Sequence, residues 1–525
     1  MIEISTLEFY SGDIQLINNS DKGSGNTLLY SSQSYRKNIK CPQYLNVLDH
    51  DNKKKGNMVF LLLETSYKEN MENITVKDII EATGGKLLCG DENKVIRDFS
   101  IDSRTGTEDS IFVPIIGERV DAHRFIDSAL DLNGATFTQE HDQADSDKPW
   151  IRVDNTLEAM QKVGTYYRNR LNLPVVAVTG SVGKTTTREM IACALSSGLK
   201  IFQTRGNQNS QVGVPLTLAH ITPEDQAAVL EIGMSERGQI EKLTTMIRPD
   251  IAVVTVIGVS HIAQLKTQEN ICLEKMDILK GLPENGKVFL NGDDPFLAPY
   301  RGRLPFDTYF YGLDEACDYR ADHIVTGDGG TSFVFHYEDQ ELPVSLEVLG
   351  DHYVRNALVA LGVAHQMNLD LEAAAAELKH FHGQRQRMIK AKACQVIDDT
   401  YNASPDSMRA SLRVLSTMDG IKGRRIAVLA DMLELGEQEK EYHYQIGEYI
   451  AGQNIQEVYA YGDLSLEILK GIAEHNGKIR TGHFPDRESL TAFLLDYVKK
   501  EDIVLLKGSN GMKLSEVSQA IQNKE

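Results

Sequence analysis

The stretch VVAVTGSVGKTTTREMIACALSSG, residues 175–198, decides how the rest of the chain is read. Four apolar residues, Val175 to Val178, have the β-branched character of a buried strand. A glycine loop follows, and then a helix whose apolar side carries Met190, Ile191, Ala194 and Leu195. Gly180 and Gly183 let backbone N–H groups approach a polyphosphate with no Cβ in the way. The N-terminus of the helix adds a favourable field, Lys184 can neutralise terminal phosphate oxygens, and the Thr185 hydroxyl can reach a magnesium ion. The full Walker A pattern wants glycine six positions before the lysine, where this chain has Val178. What remains is a shorter form, Thr-Gly-x-x-Gly-Lys-Thr. It makes Thr179, Gly180, Ser181, Val182, Gly183, Lys184 and Thr185 the candidate nucleotide-phosphate residues.

Outward from this loop, short apolar runs alternate with helical stretches: AVLEI (228–232), IAVVTVI (251–257) and KVFL (287–290). A second series comes later, with CQVID (394–398), RIAVLAD (425–431), EVYAYG (457–462) and DIVLLKG (502–508). Near-continuous apolar strands separated by helices predict an α/β fold with parallel sheets covered on both faces. The stretch from about 300 to 345, with the alternating TSFVFHY (331–337), reads as an antiparallel addition, SIFVPIIG (110–117) as a buried strand, and ENITVKDIIEATGG (72–85) as a helix stopped by glycine. The expected organisation is a leader (1–70), a first domain (71–172), a central nucleotide-binding domain (173–384) and a C-terminal domain (385–525). Residues 1–70 are polar and turn-rich, with no sustained period, and read as a poorly ordered segment of unknown role.

Composition limits the function. The 525 residues, 41% hydrophobic and 25% charged, are ordinary globular material, which excludes collagen-like and wholly disordered readings. A formal charge of −20 argues against a nucleic-acid binder, whose affinity needs a basic face. Six cysteines are scattered without a Cys-x-x-Cys pair, which suits reduced thiols in a cytosol. MIEISTLEFY lacks the form of a secretory signal, and MVFLLL (58–63) is far short of the roughly 20 residues of a membrane helix. The expectation is a cytoplasmic protein.

Metal ligands for a nucleotide site are sought at strand ends, where open α/β sheets bind their ligands. Glu231 ends one apolar run, and His261 follows another in the same topological position. Lys275, in ENICLEKMDIL, stands on a helical stretch. Taken singly, each also has an ordinary structural reading.

Together the motifs carry a resemblance. TGSVGKTTT, GNQNSQVGVP (206–215), LEIGMSERGQI (230–240), VIGVSHI (256–262), EKMDIL (274–279) and LNGDDP (290–295) resemble the Mur ligases. The later IDDTYNASPDSM (397–408), LADMLELGE (429–437) and LLKGSNGMK (505–513) are similar to the branch that attaches D-alanyl-D-alanine to UDP-N-acetylmuramoyl-tripeptide. The resemblance spans 71–525 and implies the three-domain Mur ligase architecture: a uridine-nucleotide domain, a central P-loop ATPase domain and a Rossmann-like C-terminal domain. It implies an ATP-dependent ligase that works through an acyl phosphate in the last cytoplasmic step of peptidoglycan precursor synthesis. The partners implied are the uridylated tripeptide and the dipeptide, with a monomeric enzyme expected.

By the same resemblance, Thr185, Glu231, His261 and a carbamylated Lys275 hold magnesium, two ions being expected. Lys184, Lys275, His261 and Arg387 fall on catalytic positions, Asn291 near the adenine, and Arg387 and Asp399 at the ATP phosphates and ribose. Ser103, Arg104, Asn207, Tyr401 and Asn402 fall on substrate positions. A sister ligase or a folylpolyglutamate-type ligase that adds a single amino acid is the main alternative, yet the Asp-Asn-Pro-Arg-like motif usual in the lysine- and diaminopimelate-adding type is absent. A nucleotide switch without ligation would leave the late loops without a task. An inactive homologue is the third possibility.

Overall fold

The computed structural model describes the strands Leu7–Tyr10 and Asp13–Leu16 together with residues 71–524, apart from 118, 328–329, 384–386 and 419. The chain divides into two units, Met1–Tyr67 and Lys68–Glu525. In the first unit the two strands pair antiparallel, Leu7 opposite Leu16. The rest of the expected leader lies outside the described residues.

The second unit opens on the helix Val76–Thr83. Thr75 and Asp78 form a capping box at its start, and Gly84, at φ 72°, ends it. Beyond it a five-stranded sheet runs in the order 86–89, 150–152, 135–138, 110–112, 98–100. All its neighbours are parallel except the first pair. Ser110–Phe112 is buried, as SIFVPIIG suggested, and the strand stops short of Pro114.

The helix Thr156–Arg168 joins this domain to the next. Its Tyr167 hydroxyl donates to the Ile221 carbonyl at 2.7 Å, and Arg168 Nε donates to the Ile247 carbonyl at 2.7 Å. These bonds seat the first domain on the central one.

The central sheet has nine strands, in the order 201–203, 227–231, 175–179, 251–254, 287–291, 307–312, 319–327, 330–337, 340–346. The first seven are parallel and the last two are added antiparallel, so the antiparallel addition expected over about 300–345 begins only at 330, while 307–312 and 319–327 extend the parallel part. Both faces are covered, and the pleat sorts the side chains between two cores. Val175, Ala177, Leu230, Ala252 and Val254 enter one cluster, while Val176, Val178, Val229, Ile251 and Val253 enter the other. That two-sided burial makes the runs continuously apolar. Val175–Thr179 lies between 227–231 and 251–254, so the nucleotide loop leaves the sheet from its middle.

The C-terminal sheet runs 387–390, 395–399, 503–507, 425–430, 457–461, 480–484, parallel except for the first pair. The edge strand Arg480–Phe484 was not foreseen: RTGHF is polar and half-exposed, without the apolar run of a central strand. Among the described residues, no helix is long and apolar enough to cross a membrane.

Candidate active site

The strand Val175–Thr179 delivers the chain into the loop, and two glycines shape it. Gly180 has φ 149°, and a Cβ there would overlap the Thr255 hydroxyl. Thr255 closes the loop from the next strand. Its N–H donates to the Thr179 carbonyl at 3.0 Å and its hydroxyl to the Val182 carbonyl at 2.6 Å. Gly183, at φ 87°, caps the helix Lys184–Leu195, whose N-terminal N–H groups meet the loop.

Two lysines converge on one acceptor, the Gly180 carbonyl: Lys184 Nζ donates to it at 2.8 Å and Lys275 Nζ at 2.9 Å. Lys275 is 1% exposed. Burial, and next the charge of Lys184, hold its ammonium well below the usual lysine range. Its helix, Gln268–Met276, is fixed by the neighbouring Glu274, whose buried carboxylate accepts the N–H groups of Gly238 at 2.8 Å and Ile240 at 3.1 Å.

Glu231, 2% exposed, ends its strand beside this loop. The Thr185 hydroxyl donates to it at 2.9 Å and Asn209 Nδ2 at 2.6 Å, and Arg188 Nη1 lies 3.6 Å away. His261 stands on the loop after Ile251–Val254, at φ 65°. Burial, then the charges of Lys275 and Lys184, push its imidazole down to about 4, so it is neutral at pH 7. Its Nδ1 is buried and forms no hydrogen bond among the described residues. A carboxylate, a hydroxyl and a neutral imidazole around one phosphate loop form a donor set that fits a hard divalent cation. Asp294 anchors the His261 loop by accepting the Ile257 N–H at 2.8 Å.

That loop is also the contact with the C-terminal domain. Val259 belongs to the hydrophobic cluster of the C-terminal sheet and Ile262 packs against it. A Cβ on Gly258 would lie 2.5 Å from Asp406 Oδ2, and one on Gly436 would lie 3.1 Å from Ala263 Cα.

The other expected residues are placed as follows. Asn291 is buried at its strand end, where its Oδ1 accepts the Asp293 N–H at 3.1 Å. Arg387 is exposed and lies 3.3 Å from Asp398. Asp399 is turned into the C-terminal domain, paired with buried Lys507 at 2.6 Å and accepting from Ser411 at 2.5 Å. Lys507 also donates to the Asn402 carbonyl at 3.1 Å, which fixes the loop that exposes Tyr401. Asn207 is exposed and offers its carbonyl to the Asn209 N–H, and it is Asn209 whose side chain reaches Glu231.

In the first domain, Ser103 and Arg104 lie on a turn. There Arg104 pairs with Asp102 at 2.7 Å and holds that carboxyl down to about 2. A cavity of about 290 Å³ in the same domain is lined by Asp121, His123, Glu140 and Trp150.

Asn209, Glu274, Glu434 and Lys507 stand inside quoted motifs without having been singled out. Thr255 carries no signal of its own in the sequence, because its partner is distant along the chain.

Known families match this arrangement. The Mur ligase middle domain matches residues 178–364, and the Mur ligase glutamate ligase domain matches 384–510. The UDP-N-acetylmuramoyl-tripeptide–D-alanyl-D-alanine ligase of Bacillus subtilis is 34% identical over 449 residues, 84% of this chain and 97% of the relative. The chain belongs to the Mur ligase family. The Escherichia coli ligase of the same description is 30% identical, with 86% of this chain and 99% of the relative covered.

Solved Mur ligases share the fold. MurF from Acinetobacter baumannii superposes with a TM-score of 0.78 at 27% identity, covering 86% of this chain and 99% of that one. MurF ligase from Thermotoga maritima, solved in complex with ADP, gives 0.71 at 28% identity, with coverages of 81% and 97%. As a Mur ligase, the protein is an ATP-dependent peptide ligase with an α/β architecture of mixed sheets and helices.

Proposed function

We propose that this Mur ligase joins D-alanyl-D-alanine to UDP-N-acetylmuramoyl-tripeptide at the expense of ATP, as the late motifs and the relatives' descriptions suggest. The observation that supports it most is the convergence of Lys184 and Lys275 on the Gly180 carbonyl beside the Thr185–Glu231 pair. It is a cationic, partly dry recess at the mouth of a phosphate loop. A carboxylate is a poor electrophile, because its charge repels an amine and oxide is a bad leaving group. Transfer of the γ-phosphoryl group of ATP to it makes an acyl phosphate. The dipeptide amine then attacks, and the tetrahedral intermediate collapses to the amide with loss of phosphate. Loop N–H groups and Lys184 bind and orient the polyphosphate, and positioning supplies much of the rate.

Thr185, Glu231 and His261, with a carbamate on Lys275, would hold magnesium, which when bound supplies positive charge to the phosphoryl oxygens. Lys275 suits carbamylation because its burial favours the neutral amine, the form that adds to carbon dioxide. Residues 71–172, with Ser103 and Arg104, take the uridylated tripeptide, and 173–384 take ATP, with Asn291 near the adenine. Residues 385–525, with Arg387, Asp399, Tyr401 and Asn402, complete the nucleotide and dipeptide sites as that domain closes. The uridylated substrate places the reaction in the cytoplasm, and the enzyme acts as a monomer.

The test is substrate-dependent phosphate release. Purified protein should release phosphate from ATP only with both substrates present and should form the uridylated pentapeptide, identified by mass. Equal turnover with a free amino acid in place of the dipeptide would overturn the assignment.

A further inference from the structure

The loop after the strand Arg425–Ala430 carries a carboxylate across the domain boundary to the candidate metal site. This loop is held firmly on its own side. The Met432 N–H donates to His443 Nε2 at 2.9 Å, the Leu433 N–H donates to Ser509 Oγ at 2.9 Å, and Leu435 is buried in the C-terminal core. Glu434, between them, is left-handed at φ 65° and sends its side chain out of that domain. Glu434 Oε2 lies 3.3 Å from Nδ1 of His261, a residue that is itself left-handed. That nitrogen is the buried one with no hydrogen bond. Gly436, two residues on, lets the loop approach Ala263 closely, so the backbone on both sides of the pair is in contact. Two non-glycine residues in a sparsely populated conformation, facing each other across a domain boundary, suit a contact under functional constraint.

We propose that Glu434 is a positioning residue for His261 and is brought to it by closure of the C-terminal domain. Its carboxylate accepts the Nδ1–H, which fixes the imidazole tautomer and leaves the Nε2 lone pair for the metal. Carboxylates that hold a ligating histidine in this way commonly contribute about 10–100-fold in metal affinity. Metal affinity therefore depends on whether the domains are closed, and a cation bound at the loop in turn favours closure. The inference rests on His261 as a metal ligand, and its experiment separates the two claims.

The full chain is titrated with Mn²⁺ in the presence of ADP, and bound ion is read by electron paramagnetic resonance for the wild type, Glu434→Ala, Glu434→Gln, His261→Ala and the double alanine variant. Glu434 is 63% exposed, so these substitutions leave the fold intact. Glu434→Ala should weaken Mn²⁺ about 10–100-fold. Glu434→Gln, which still accepts the Nδ1–H without its charge, should lose less. The double variant should be no weaker than His261→Ala, since both act through one imidazole. Nitrogen-15 spectra of the histidines should show one ring tautomer at His261 in the wild type and a mixture in Glu434→Ala, a signature that a merely structural residue would not move. Wild-type Mn²⁺ affinity in Glu434→Ala, with a loss in His261→Ala, overturns the role of Glu434 alone. Wild-type affinity in both variants overturns His261 as a ligand, and this inference with it.

Discussion

Substituting Gly180 by alanine tests the loop geometry most sharply, because two separate costs arise at one Cβ. The residue has φ 149°, a conformation that costs an L-residue about 1–3 kcal/mol. The new methyl would also displace the Thr255 hydroxyl and break its hydrogen bond to the Val182 carbonyl, worth about 1 kcal/mol. Relief comes from moving the loop, so the loss falls on nucleotide binding. The sum, about 2–4 kcal/mol, corresponds to roughly 30–1,000-fold weaker ADP, measured by calorimetry with magnesium.

Gly183→Ala is the internal control. It also has a positive φ, 87°, but its nearest neighbours would be 3.9 Å away. It should lose only the backbone part, about 1–2 kcal/mol. Gly180→Ala/Thr255→Ala should be no weaker than Gly180→Ala, because Thr255→Ala by itself removes the hydrogen bond that the new methyl breaks. ADP affinity within threefold of wild type for Gly180→Ala, or a larger loss at Gly183 than at Gly180, would refute this reasoning.

Lys275→Ala should abolish turnover and recover part of it with added short carboxylates; full activity without rescue would remove the carbamate from the mechanism. His261 has a folded pKa of about 4, below the roughly 6.5 of an unfolded histidine, so acidification through that window protonates the unfolded chain first and costs stability. Urea midpoints followed from pH 7 to pH 4 should therefore fall less steeply in His261→Gln, and identical slopes would count against it. Lys507→Met leaves the Asp399 carboxylate buried without its cation and should destabilise the C-terminal sheet by about 3 kcal/mol. Hydrogen exchange should register that loss, and adding Asp399→Asn should restore at least half.

The sheets were legible because their strands are buried on both faces, so no polar residue interrupts VVAV or IVLL. The phosphate loop was legible because strand, glycines, lysine and helix are contiguous. The edge strand Arg480–Phe484 escaped because an exposed edge removes the apolar constraint that marks a strand. The site's supporting residues escaped for a different reason. Thr255 bonds across 73 positions, Glu274 across 36 and Asn209 across 22, and no periodicity links such pairs. A side chain such as that of Glu274 gains its role only when a second helix N-terminus arrives in front of it. Asp399 shows the converse: its motif marks it clearly, yet its carboxylate is engaged within its own domain by Lys507 and Ser411.

Val259 and Ile262 belong by sequence to the central domain, yet Val259 lies in the C-terminal core and Ile262 packs against both cores. If the two domains part to let product leave, Val259 would enter water and Ile262 would lose its C-terminal cover, at about 1.5–3 kcal/mol for a side chain that is fully exposed. Such a parting would carry a positive heat capacity, so its equilibrium would shift with temperature. Cooling would weaken this apolar hold and moderate warming would strengthen it. Two aliphatic residues on the loop that presents His261 would then tie product release to temperature.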